Sequence, residues 1–294
     1  MNAPRTPREL FVPADEFQLY AREIGQGQPV VVLHGGPDFD HHYLLPDLDR
    51  LSDSIRLIYY DQRGRGGSAQ GVEPQDVTIE SEMEDLESLR QYFGLDKAAL
   101  LGHSWGGLLA AQYAVRHPER VSHLVLMNSA PVSHNDYLLF RQELPGKRAP
   151  GEVEQMKALS STERYAHGDL ENDAEIYRIH FRGTLRRPEQ LEQVVRSLRL
   201  GATPEGVVNA RAIEDRLYEQ TWLLDDYDLL PQLAQLRIPA LVIHSANDLV
   251  PYECAAHIAG AIPGARLLEL EECGHFSYLE CPDAVRRAIV ELLA

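Results

Sequence analysis

Long apolar runs are missing from this chain: nothing approaches the roughly 18 consecutive apolar residues that a membrane-spanning helix needs. The first residues, MNAPRTPREL, show no apolar core of the kind a secretory leader carries. Positive charge is scarce as well, with 28 Lys and Arg against 45 Asp and Glu, a net charge of −17 and no basic patch. Nucleic-acid affinity rests on neutralising phosphates, so no nucleic-acid partner is expected. An acidic surface favours solubility and repels anionic membranes, so no membrane partner is expected either. Cysteine is nearly absent. Cys254, Cys273 and Cys281 form an odd, scattered set that fits neither a disulfide framework nor a CxxC metal site. The HExxH and P-loop patterns are lacking, and GQGQP at 25–29 precedes a strand where a dinucleotide turn would follow one. The expectation is a cytoplasmic, reduced, soluble protein with no metal and no cofactor, whose partner is a small-molecule or short-peptide substrate. Its oligomeric state is left open.

What the chain does have is a run of short apolar segments bounded by turn residues. Val30–Leu33, Leu57–Tyr60, Ala98–Leu101, Leu124–Leu126 and Leu241–Ile243 read as buried parallel strands. Ahead of them, Leu10 to Ile24 suggests two strands in a hairpin or meander. Between strands lie helical patterns, clearest in TIESEMEDLESLRQYFG, where Ile79, Met83, Leu86, Leu89 and Phe93 share a stripe. The acids Glu80, Glu82, Glu84, Asp85 and Glu87 fall mostly off that stripe, Thr78 can cap the start, and Gly94 can end it. Alternating strands and helices predict an α/β fold, a mostly parallel sheet with helices on both faces. The alternation stops between about Pro131 and Pro239, where the chain turns helical and charged. This predicts a core of residues 1–130 and 238–294 interrupted by a helical cap, or lid, of residues 131–237.

The segment LLGHSWGGLLAAQYAVRHP, residues 100–118, places Ser104 between Gly102 and Gly106 at a strand-to-helix junction. In an open α/β sheet, reactive groups sit on loops at the carboxyl ends of strands. A nucleophilic serine there needs glycines two before and two after, because the turn brings backbones together. It also needs a base, usually a histidine oriented by a carboxylate, with the chain order serine, acid, histidine. Asp248 in ALVIHSANDLVP and His275 in ARLLELEECGHFSYLECP each follow a strand, in that order, with Gly274 giving the turn before the histidine its freedom. Oxyanion donors are expected from the N–H of Trp105, after the serine, and of Gly36 in VVVLHGGPD, since Pro37 has none. His34 and His103 read as structural hydrogen-bonders, and Asp61 and Arg63 as residues that hold a loop near the site.

HGGPD (34–38), YYDQRGRGGS (59–68), GHSWGG (102–107), SANDLVP (245–251) and CGHF (273–276) together resemble the α/β-hydrolase superfamily. More closely they resemble its proline iminopeptidase branch of serine peptidases. The resemblance covers about residues 15–130 and 238–294 and fades in the lid. It implies Ser104 as nucleophile, Asp248 as acid, His275 as base, and Gly36 and Trp105 as oxyanion donors. It also implies release of an N-terminal residue from short peptides, with lid glutamates binding the free α-amine. HGGPD ends in aspartate where that branch usually has glycine, and GHSWGG is closer to esterases.

The lid residues offered for substrate binding are Glu214, Glu219 and Trp222, with Asp215 and Tyr218 beside them; a solvated, charge-paired helix face is the competing reading. Arg178, Arg182 and Arg186 fall on one helix face and could clamp a carboxylate or pair with lid acids. Three functions follow from the sequence: a serine aminopeptidase, an esterase, lactonase or small-amide hydrolase of the same fold, and a ligand-binding receptor with incidental turnover. Dehalogenases and epoxide hydrolases of this fold carry aspartate at the position of Ser104.

Overall fold

The computed structural model describes residues 6–294. Eight strands form one sheet: β1 (Arg8–Ala14), β2 (Phe17–Gly25), β3 (Pro29–Leu33), β4 (Arg56–Tyr60), β5 (Ala98–His103), β6 (Val121–Met127), β7 (Ala240–Asn247) and β8 (Arg266–Gly274). Their order across the sheet is β1-β2-β4-β3-β5-β6-β7-β8. The β1–β2 hairpin is antiparallel and joins β4 antiparallel; every other neighbour pair is parallel. The central strands carry long successions of apolar residues because both faces are covered. Val31, Leu33, Leu100 and Leu126 point to one core cluster, and Val30, Val32, Leu101 and Val125 to the other.

The first cluster is closed by α1 (Ile79–Tyr92), α2 (Trp105–Arg116) and α10 (Tyr252–Ala261); the second is closed in part by α12 (Pro282–Leu293). Thr78 caps α1 as expected, accepting from the Ser81 N–H at 3.0 Å while the Ser81 hydroxyl accepts from Thr78 N–H. Two α1 acids depart from expectation. Glu82 and Asp85 are fully buried and bind Arg65 and Arg63 of the loop after β4, the latter pair at 2.5 and 3.0 Å. The acids that break the stripe thus turn inward because that loop brings them guanidinium partners.

Between β6 and β7 the chain leaves the sheet for α3 (His134–Glu143), α4 (Glu152–Ser160), α5 (Glu163–Ala166), α6 (Leu170–Arg182), α7 (Leu191–Leu198), α8 (Pro204–Glu219) and α9 (Leu230–Leu233). No strand forms in this inserted region among the described residues; a single bridge, Ser133 with Asp228, closes its base. Across the sheet, Leu33, Gly102, Leu126, Val242 and Leu267 lie in register, so the loops after β3, β5, β6, β7 and β8 share one edge beneath the insertion. No helix among the described residues is long and apolar enough to cross a membrane.

One expectation fails outright. Cys273 and Cys281 are joined in a disulfide with Cα atoms 6.2 Å apart, and Cys254 alone is free and buried. Their spacing looked random in sequence because the chain between them folds back through α11 (Ser277–Glu280).

Packing at the β5–α2 junction yields a stability prediction. A Cβ on Gly102 would collide with the Gly106 carbonyl, and one on Gly106 with the Leu33 carbonyl. Gly260, on exposed α10 surface, has nothing near its added Cβ. Gly102→Ala should lose about 1–3 kcal/mol or more in urea unfolding, whereas Gly260→Ala should gain about 0.5–1 kcal/mol.

Candidate active site

Ser104 stands at the tip of β5 with φ 54° and ψ −120°, a conformation that L side chains seldom adopt. It is held by its neighbours: Ser104 N–H donates to the Met127 carbonyl at 3.1 Å, and its own carbonyl accepts from Gly107 and Ala130. The turn lifts the side chain into a cavity of about 370 Å³, which Gly36 and His275 also line. Helix α2 begins at the next residue, so the Trp105 N–H has no acceptor within the helix. The Trp105 indole is fully buried and packs edge-on against Trp222 at 5.3 Å. Gly36 follows β3 with φ 109°, and its loop is pinned where Gly35 N–H donates to the Tyr43 hydroxyl at 2.6 Å.

Asp248 and His275 come together after β7 and β8. The His275 Nδ1 lies 2.6 Å from Asp248 Oδ1, with both residues buried. A carboxylate only accepts, so Nδ1 carries the proton and Nε2 keeps its lone pair. Burial by itself would raise the Asp248 carboxyl. The His275 imidazole, His244 and the Asn128 amide outweigh it and hold the group well below the usual carboxylate range. The His275 backbone is fixed from two sides, its N–H on the Thr184 carbonyl at 2.9 Å and its carbonyl against His103 Nε2 at 2.9 Å. Phe181 stacks parallel to its ring. Gly274 serves by its lack of a side chain, since a Cβ there would collide with the Thr184 carbonyl.

The sequence reading missed Asn128. Its backbone is left-handed, φ 47°, and its side chain is fully buried. Nδ2 donates to Asp248 Oδ2 at 2.6 Å and to Ser245 Oγ at 3.0 Å, while Oδ1 accepts from Ser277 Oγ at 2.6 Å. It therefore ties the aspartate loop to the loop two residues past the histidine. Nothing in the stretch MNSAP signals this, because the partners lie more than a hundred positions away.

His34 and His103 are buried hydrogen-bonders. His34 Nε2 accepts from Gln62 N–H, and His103 Nδ1 meets the Tyr43 hydroxyl at 2.8 Å. Burial depresses their pKa values to about 4 and about 3, so both stay neutral. Asp61 accepts from His41 and from the Gly67 N–H, which braces the loop as expected. Asp40, His41 and His42 form the sole cluster with ligand-like spacing among the described residues, and their Nδ1 atoms are already committed to Asp61 and Asp40.

The lid supplies the rest of the cavity. Glu214 faces it, with its carboxylate accepting from the Tyr218 hydroxyl at 2.5 Å, and Trp222 and Tyr218 line the wall. Glu219 does not: it is exposed on the opposite side of α8, as is Asp215, since the helix turns them away from Glu214. Arg178, Arg182 and Arg186 bind Glu171, Glu175 and Glu192, Glu152, and Glu272, which leaves no clamp. Asp38, the aspartate of HGGPD, also lines the cavity and accepts from Tyr177 on α6. The nearby cations, Arg199 and Arg211, are both drawn to Asp173, at 2.6 and 2.5 Å. Asp38 and Glu214 thus receive tyrosine hydroxyls but form no ion pair among the described residues. Burial raises both carboxyls; for Glu214, burial and then the Asp38 charge lift it to about 8.

A strand-ordered sheet with a serine elbow after β5, an acid after β7 and a histidine after β8 defines a class of hydrolase. Residues 28–282 match the family described as alpha/beta hydrolase fold, and the chain belongs to it. Within that family it is similar to the proline iminopeptidase of Saccharolobus solfataricus, 30% identical over 289 residues covering 94% of this chain and 88% of the relative. The crystal structure of a proline iminopeptidase from Mycobacterium smegmatis superposes with a TM-score of 0.70 at 23% identity, covering 97% of both chains. That of an enol-lactonase from Burkholderia xenovorans gives a TM-score of 0.65 at 25% identity, covering 97% of this chain and 99% of the other.

The raised Glu214 carboxyl has a measurable sign. In the unfolded chain a glutamate releases its proton near 4.5, whereas Glu214 keeps it to about 8. Between those values the native state binds more protons, so stability contributed by this group falls as pH rises. Denaturant titrations of wild type and Glu214→Gln across pH 5–8 should show the variant gaining relative stability with pH; parallel curves would contradict it.

Proposed function

We propose that this chain is a serine hydrolase working through an acyl-enzyme, and that it removes the N-terminal residue of short peptides. Ser104 Oγ attacks the carbonyl carbon while His275 Nε2 takes its proton. Asp248 holds the imidazole in the tautomer this requires and stabilises the imidazolium that forms. The N–H groups of Gly36 and Trp105 receive the developing oxyanion. Collapse of the tetrahedral species breaks the C–N bond, and the His275 proton passes to the leaving amine. Water, deprotonated by His275, then attacks the ester and frees Ser104.

The observation that carries the peptidase reading is the pair Asp38 and Glu214, two acids lining the cavity of Ser104 without an ion-pair partner among the described residues. Carboxyl groups partly withdrawn from water call for a compensating charge when ionised, and a substrate α-ammonium supplies it. Similarity to proline iminopeptidases points the same way. The likeness to an enol-lactonase and the largely apolar, aromatic wall favour ester or lactone hydrolysis as the second reading.

Wild type, Ser104→Ala and Glu214→Gln should be assayed on L-proline and L-alanine p-nitroanilides, their N-acetyl forms and p-nitrophenyl esters. Ser104→Ala should lower turnover on every substrate by at least roughly 10⁴-fold. Wild type should prefer free-amine anilides over N-acetylated ones, and Glu214→Gln should shrink that preference through KM. Cleavage of esters alone would decide for the second reading.

A further inference from the structure

The cavity wall is polarised along its length, and one end is unexplained by the acids. Tyr218, Trp222 and Tyr137 follow one another at ring separations of 4.8 Å and 4.8 Å. Tyr218 hydrogen-bonds Glu214 at one end of this row. At the other end the Arg141 guanidinium lies over the Tyr137 ring at 5.7 Å and donates to its hydroxyl at 2.9 Å. The middle ring, Trp222, packs on Trp105, the residue after Ser104. Ser104 lines the same cavity as this aromatic row, which runs from the Glu214 carboxyl to the Arg141 guanidinium.

Arg141 differs from the other lid arginines discussed above. Arg178, Arg182, Arg186, Arg199 and Arg211 are all bound to carboxylates. Arg141 lines the cavity, is exposed, and enters no ion pair among the described residues. Its exposure places it where the cavity meets solvent, while its tyrosine partner holds it over the wall.

We infer that Arg141 is a specificity-determining residue that binds the free C-terminal carboxylate of the leaving fragment, so that the preferred substrates are zwitterionic peptides of two or three residues. This rests on the aminopeptidase reading of the same site. With the α-ammonium against Asp38 and Glu214 and the scissile carbonyl at Ser104, the leaving amino acid extends along Trp222 and Tyr137 toward Arg141. Each residue of an extended peptide advances about 3.5 Å, so two or three residues match two ring steps of 4.8 Å. A guanidinium meets a carboxylate through paired N–H donors and is suited to such a terminus. The bond broken remains the amide at Ser104; Arg141 takes no proton.

The test compares Pro-Gly and Ala-Gly dipeptides with their C-terminal amides, on wild type, Arg141→Gln and Arg141→Lys, with thermal melts to verify folding. Wild type should favour the acid over the amide in kcat/KM by about tenfold to a hundredfold. Arg141→Gln should bring that ratio near one by raising KM for the acid, and Arg141→Lys should restore part of it. Peptide turnover with a ratio that Arg141→Gln leaves unchanged would overturn the inference alone. Absence of dipeptide turnover in wild type, with esters still cleaved, would overturn the aminopeptidase reading and this inference with it.

Discussion

The left-handed backbone at Ser104 is the constraint on which the site depends. A non-glycine residue at φ 54° holds that shape only when its surroundings over-determine it. Here they do: three backbone hydrogen bonds grip Ser104, and Gly102 and Gly106 admit the carbonyls that crowd it. Two of those bonds come from the end of β6 and the residues just after it, the third from α2, and the Leu33 carbonyl of β3 packs on Gly106. The same crossing fixes the start of α2, and with it the direction of the Trp105 N–H.

A second constraint is that most arginines of the inserted helices discussed above are taken up by carboxylates other than Asp38 and Glu214. Asp173 takes both Arg199 and Arg211, which leaves Asp38 and Glu214 with tyrosine hydroxyls. Burial, and after it the charge of Asp38 in the same cavity, keeps the proton on Glu214 to about 8. Tyr177 reaches from α6 to Asp38 on the loop that carries Gly36, and Trp222 reaches from the lid to the Pro131 carbonyl at 2.8 Å. The inserted helices are thereby tied to the edge of the sheet that carries the loops after β3 and β6. Cavity shape and loop position are set by one network.

Asn128 connects the loops that carry Asp248 and His275. Its amide satisfies Asp248 and Ser277 at once, and its left-handed backbone aims the side chain between them. The disulfide Cys273–Cys281 and the Glu280 carboxylate, which accepts from Gly274 N–H at 2.6 Å and Arg187 N–H at 2.7 Å, close the histidine loop from its other side. His275 is thus held by backbone, side chain and covalent bond.

The alternation of short apolar runs with amphipathic helices determined the sheet, because strands buried on both faces must be apolar throughout and helices covering them must be striped. Local turn chemistry determined where Ser104, Asp248 and His275 stand, since each follows a strand whose end is legible in a few residues. Glu214 could be named but not told from Glu219 and Asp215, because helix rotation against a partner decides which acid faces a cavity. Asp38 looked like a mere departure from a motif, and Asn128 and the pairing of Cys273 with Cys281 gave no local signal. Their partners are distant in sequence or lie beyond a fold in the chain. Hydrogen bonds, ion pairs and disulfides between such residues exist only after the backbone has brought them within a few ångströms, and that proximity belongs to the tertiary structure alone.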